Sequence, residues 1–152
     1  MMVSRMAAPV LLLALVVLPG CKKAPPPIVA VSGIVTLNGK PLDKAEIRFY
    51  PQTSDLTSEF IGSAVTDDEG RFTLMTNGQS GAAQCDHLVT ADNEPLPSQY
   101  RGMSQKAQEG YSEYLRTLKN RPIPDKYKFL PDTPLKITVT GPTTDLKIEL
   151  TK

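Results

Sequence analysis

Apolar and polar side chains alternate with a period of two over much of the chain beyond residue 28. Val29, Val31, Val35 and Leu37 share one parity, with Gly33 among them. After Asn38-Gly39-Lys40-Pro41, Ala45, Ile47 and Phe49 alternate with Lys44, Glu46 and Arg48. A period of two places one dry and one wet face on a strand. Asn-Gly tolerates the positive φ of a tight hairpin turn. Pro51 closes this strand, and the polar residues 52–58 predict a loop. A weaker strand is expected over 60–66. Asp67-Asp68-Glu69-Gly70 predicts a turn, and Phe72 and Leu74 begin the return strand. A further turn falls at Asn77-Gly78-Gln79-Ser80-Gly81. Cys85, His87, Val89 and Ala91 then share a parity. Leu135, Ile137 and Val139 alternate in the same way, Gly141-Pro142 turns the chain, and Leu146, Ile148 and Leu150 finish it. About seven short strands separated by turn signals predict an all-β sandwich.

One segment has a different period. Residues 92–134 exceed any ordinary hairpin loop. Within them Tyr100, Met103, Ala107, Tyr111, Tyr114, Leu115 and Leu118 recur at steps of three and four, which is helical spacing. Ser98 is a candidate cap, and Asn120-Arg121-Pro122 suits the helix end. Gly102 and Gly110 each weaken such a helix by about 1 kcal/mol relative to Ala. The expectation is a helical insertion at about 92–122, before a last hairpin. An insertion on a small sandwich is where function is commonly added. Tyr100, Met103, Tyr111 and Tyr114 are therefore the candidate interaction surface.

The first twenty residues form a separate block. Arg5 is its one charge, Met6–Leu18 is apolar apart from Pro9, and it ends Leu18-Pro19-Gly20-Cys21. The run is too short for the ~20 apolar residues of a spanning helix, and its layout is that of a secretory signal peptide. Leu18-Pro19-Gly20-Cys21 resembles a bacterial lipobox, with Pro19 at a position more often small or β-branched. The resemblance implies a diacylglycerol on the Cys21 thiol and cleavage just before it. Paired acyl chains anchor stably, at about 0.8 kcal/mol per buried methylene. The chain then divides into a leader (1–20), Cys21 with a proline-rich linker (21–27) and one domain (28–152). Pro25-Pro26-Pro27 favours an extended stand-off between lipid and domain.

Charge and chemistry narrow the function. There are 17 Lys+Arg against 16 Asp+Glu, and loss of Arg5 with the leader balances them. A neutral chain lacks the basic stripe of a nucleic-acid binder and the polybasic patch of an electrostatic membrane binder. Cys85 is the one thiol besides Cys21, so a lipidated chain has no internal disulfide framework. His87 is the one histidine. A catalytic zinc centre normally takes three protein ligands, and one His with one Cys does not supply them. Cys85 and His87 share a strand face, so a thiolate–imidazole pair is conceivable. A cysteine hydrolase also needs an orienting group and an oxyanion hole. Asp67-Asp68-Glu69 lacks the spaced oxygen ligands of a calcium loop. No metal or cofactor is expected.

Three stretches together resemble a known family. Val31-Ser32-Gly33-Ile34-Val35-Thr36-Leu37-Asn38-Gly39-Lys40-Pro41-Leu42, Ala45-Glu46-Ile47-Arg48-Phe49 and Thr66-Asp67-Asp68-Glu69-Gly70-Arg71-Phe72 are similar to carboxypeptidase regulatory-like (transthyretin-like, prealbumin-type) domains, especially those of small bacterial lipoproteins. Ile123-Pro124-Asp125-Lys126-Tyr127 matches a late segment of such proteins. The resemblance spans nearly all of 28–152, with Cys85 and His87 standing where the family has Gly and Tyr. It implies a seven-stranded Ig-like or prealbumin-like sandwich outside the cytoplasm, with no catalysis by this domain. Tyr100-Arg101-Gly102 evokes the ending of transthyretin-like hydroxyisourate hydrolases, but Met103 follows it and that family's histidines are missing. The expected protein is a non-enzymatic envelope lipoprotein, held to a membrane (outer membrane or periplasmic face) through Cys21. Its partner is an envelope protein or, alternatively, a glycan or small ligand, and not a nucleic acid.

Overall fold

The structure is a computed structural model that describes residues 24–53, 57–101 and 104–152. Leader, Cys21, Gly102 and Met103 lie outside the described residues. The architecture is mostly β. In chain order the strands are β1 (Ile28–Val29), β2 (Val31–Leu37), β3 (Lys40–Pro41), β4 (Ala45–Pro51), β5 (Gly62–Val65), β6 (Arg71–Thr73), β7 (Met75–Thr76), β8 (Gln79–Ser80), β9 (Ala82–Ala83) and β10 (Asp86–Asn93). Helix α1 (Gln105–Thr117) follows, then β11 (Lys136–Thr138) and β12 (Thr143–Leu150).

One sheet has the order β11-β10-β4-β5-β7-β8. A second has β12 parallel to β2, with β3 and β6 sharing the other side of β2. β1 and β9 form a separate two-stranded ribbon. The described residues thus hold twelve strand segments where the sequence pattern suggests about seven. Breaks at single residues account for much of the excess: Ala30 divides β1 from β2, Leu74 divides β6 from β7, and Gly81 divides β8 from β9.

The alternating residues form the core. Val31, Val35, Leu37, Ile148 and Leu150 come from one sheet and Ala45, Ile47, Phe49, Val89 and Ala91 from the other, all in one buried cluster. Each large apolar side chain removed from water contributes about 1.5–3 kcal/mol, so this cluster supplies the main driving force. Both Asn-Gly turns have the mirror-image geometry that matches strand twist: φ is 52° and 74° at Asn38-Gly39, and 48° and 76° at Asn77-Gly78. At the acidic turn, Asp67 Oδ1 accepts from the backbone N–H of Glu69 (3.0 Å) and of Arg71 (2.7 Å), as an Asx turn does.

Two expectations need correction. β11 and β12 are not a hairpin. β11 pairs with β10 and β12 pairs with β2, so Thr140-Gly141-Pro142 carries the chain from one sheet to the other. Alternation in both strands is satisfied by either arrangement, and it is the two-sided core that separates them. The helix cap is Ser104, whose hydroxyl accepts from the Ala107 N–H at 3.2 Å. Ser98 opens a single 3-10 turn over Ser98–Tyr100, with no side-chain cap.

Strand directions sort the loops to two ends. β2 leaves its pairing with β12 at Val31↔Thr143 and reaches Leu37↔Leu150. β4 and β10 run between Ala45↔Asn93 and Pro51↔His87. Residues 24–27, Gln52, Thr53, Asn77-Gly78 and 138–142 therefore lie at one end. Asn38–Lys44, Asp67–Gly70, Asn93-Glu94 and α1 lie at the other.

Candidate functional site

Cys85 and His87 stand at the first of these ends, where β10 begins. Pairing of β10 with β4 and β11 turns His87 inward, against the Phe49 ring at 5.5 Å between centroids. His87 is only 1% exposed. Cys85 precedes the strand and is half-buried. The structure brings the pair together, with Cys85 Sγ 3.5 Å from His87 Nε2.

The hydrogen bonding decides what this pair does. His87 Nε2 lies 2.8 Å from the Ala83 carbonyl oxygen. A carbonyl only accepts, so Nε2 carries the proton and donates it. That leaves Nε2 with no lone pair to receive a proton from the thiol. Nδ1 is the basic nitrogen, and it is buried without a partner. Burial pushes the imidazole below its ordinary range, with the Ala83 contact opposing. Burial likewise pushes the Cys85 thiol up, the Gln52 backbone opposing. Burial thus favours the neutral form of both groups, the reverse of an activated thiolate–imidazolium pair. In this geometry the imidazole ties β10 to the bend at Ala83.

A cavity of about 500 Å³ opens beside Cys85. Its walls include Pro25 and Pro26 on one side and Thr53, Phe60 and Gln84 on the other. The Pro27 carbonyl accepts from the Gln84 N–H at 2.9 Å. The proline segment therefore lies along the domain as far back as Ala24, and does not stand off from it.

The four candidate surface residues do not share one face. Tyr114 is buried, stacks near Tyr100 at 5.8 Å between centroids and donates its hydroxyl proton to Glu94. Lys44 Nζ sits over the Tyr114 ring, 5.6 Å from its centroid. Burial and then the Glu94 carboxylate push the phenol far above its ordinary range. Tyr100 is half-buried and also covers Gly110, where a Cβ would come within 2.7 Å of its ring. Tyr111 is exposed, next to exposed Leu115 one turn on. Met103 lies outside the described residues.

A second polar centre went unnoticed in the sequence. Arg121 joins the insertion to the sandwich. Its Nε donates to Asn93 Oδ1 at 2.6 Å, and its terminal nitrogens donate to the carbonyls of Lys119 (2.7 Å), Asp43 (2.6 Å) and Lys44 (3.2 Å). The buried Asp43 carboxylate lies 3.6 Å away and accepts from the Lys119 N–H at 3.1 Å. Asn120 Nδ2 donates to the carbonyls of Leu37 and Lys40 at 2.9 and 3.0 Å. The guanidinium fork serves the geometry of these scattered acceptors. The available signal was slight: an Arg beside Pro122, and an Asp inside the turn before β4. Among the described residues no three His, Cys, Asp or Glu side chains are grouped to hold a metal ion. No protein-family model matches the chain, and no solved structure matches it.

Proposed function

We propose that the chain is an envelope lipoprotein, anchored through a lipid on Cys21, whose domain is a non-catalytic structural or protein-interaction module. The domain is taken as a seven-stranded prealbumin-like sandwich, counting the seven strands of three residues or more (β2, β4, β5, β6, β10, β11 and β12). The observation that carries this reading is the adjacency of anchor and fold. Ala24–Pro27 lies against the sandwich, and Ile28 is already paired in it, so the lipobox-like Cys21 leads directly into the domain. The neutral Cys85–His87 arrangement supports a structural use of the one conspicuous reactive pair. No helix among the described residues is long and apolar enough to cross a membrane.

The test is the intact mass of the N-terminus of native protein from detergent-solubilised membranes, with the proteins that copurify. A chain beginning at lipid-modified Cys21, with a reproducible protein partner, is the expected result. An unmodified N-terminus beginning elsewhere overturns the anchor. Hydrolysis of a defined substrate that disappears with Cys85→Ala overturns the non-catalytic role. Saturable glycan binding without a protein partner replaces the interaction module by a ligand-binding one.

A further inference from the structure

We infer that the end of the sandwich bearing Cys85 rests on the headgroup layer of the bilayer, and that α1 is held at the opposite, membrane-distal end. This rests on the lipid-anchor reading of Cys21 and adds an orientation to it.

Reach is the first support. Ala24 is three residue steps beyond Cys21, and a fully extended chain spans at most about 3.6 Å per residue. The acylated cysteine is therefore within about 11 Å of Ala24 whatever path the chain takes. Ala24 in turn is seated at the cavity beside Thr53 and Gln84. Pro27 is fixed to Gln84, and Ile28 and Val29 pair with Ala83 and Ala82. So short a tether, joined to a docked segment, leaves the domain little freedom to swing away from the bilayer.

Strand direction is the second. From Val31 to Leu37, β2 advances about 20 Å at roughly 3.3 Å per residue. Asn120 of the insertion bonds at the Leu37 end of that strand. Arg121 grips Asp43, Lys44 and Asn93 at the same end. The insertion is consequently fastened about one strand length farther from the lipid than Ala24.

Composition of the two ends is the third. Among the described residues around the anchor, 24–27, 52–53, 57–60, 76–86 and 138–143 are dominated by Thr, Gln, Asn, Ser, Gly, Ala and Pro, with Glu59 and Asp86 the two charges. The far end gathers Lys40, Asp67, Asp68, Glu69, Lys106, Arg116 and Lys119, all exposed. Hydrogen-bonding, weakly charged loops meet a headgroup layer with little desolvation of fixed charge. Lys22 and Lys23 follow Cys21 directly, so the tether adds an attraction to anionic lipid at this end. Both charges stand at the lipid end of the chain, so anionic lipid favours the same orientation.

The experiment uses full-length lipidated protein purified from membranes, in a Cys85→Ser background. One version carries Thr140→Cys, at an exposed position of the anchor end, and the other carries Tyr111→Cys on α1. Each new thiol takes the same fluorophore. The proteins are placed in phosphatidylcholine vesicles with a headgroup-attached nitroxide quencher, with and without phosphatidylglycerol. Expected is loss of most emission at position 140 and none at position 111, on both kinds of vesicle. Equal quenching at both positions, or stronger quenching at 111, in protein that floats with the vesicles and shows the lipid mass overturns the orientation and leaves the anchor standing. Protein with no lipid mass that fails to float overturns the anchor, and the orientation with it.

Discussion

At the scale of single residues, the strongest polar commitments are Arg121 and His87. Arg121 is almost enclosed, with a buried carboxylate and three backbone carbonyls as acceptors. Burial lowers its readiness to stay charged, and Asp43 opposes this. Removing one partner of a buried pair leaves the other charge uncompensated, which costs about 3–5 kcal/mol. Arg121→Ala is expected to lose stability of that order in denaturant titration, and Arg121→Lys to recover little of it, because an ammonium cannot serve acceptors in a fork. His87 gives a pH dependence. Its folded value lies below that of an unfolded histidine, near 6.5. The unfolded chain then binds more protons, so stability is fully present above about pH 6.5 and falls as pH drops below it, by up to about 1.4 kcal/mol per pH unit. Urea titrations between pH 7.5 and 5.5 should show this slope, and His87→Gln should flatten it, since the chain has no second histidine.

At the scale of elements, the join between β2 and β12 is the most demanding. Gly33 faces Leu146 just after a register shift between Thr143 and Leu146. A Cβ at residue 33 would lie 1.9 Å from the Leu146 carbonyl oxygen. That atom is backbone, so β12 itself must move. Overpacking of well-packed sites costs about 1–3 kcal/mol and occasionally more. Gly33→Ala is expected at or above the top of this range, read as a drop in the denaturant midpoint. An unaltered midpoint would mean that the bulge relaxes freely. Helix α1 is the opposite case. It buries only Ala107 and Tyr114 and depends on the Ser104 cap at one end and the Arg121 clamp just beyond the other.

At the scale of the whole molecule, these differences imply two levels of stability. The sandwich shares one continuous core, whereas α1 adds few buried side chains. Segments with little buried apolar contact open at lower free energy than the core. Amide hydrogen exchange should protect β2, β4 and β10 to the global unfolding level and release α1 well before them. Uniform protection of α1 and β4 would refute this.

Much of this was legible along the chain. Period-two alternation marked Val31, Val35, Leu37, Ile47, Phe49, Val89 and Ala91, and all of them are buried. Asn-Gly marked both mirror-image turns, because positive φ is a local steric property. Helical spacing marked the insertion, though not its cap: Ser98 and Ser104 are equivalent until the backbone decides which of them precedes a helix. Local sequence could not tell a hairpin from a crossing between sheets at Gly141-Pro142, since both bury the same parity. Nor could it show that the Cys85–His87 proximity is neutralised, because the acceptor is the Ala83 backbone and every residue has that carbonyl. The sequence by itself determined the β-rich class, the core faces and the turns, all of them consequences of local sterics and periodicity. Only the tertiary structure decided which sheet each strand joins, which histidine nitrogen is occupied, that Arg121 finds Asp43, and which end of the sandwich the proline segment reaches, because each depends on groups far apart in the chain meeting in space.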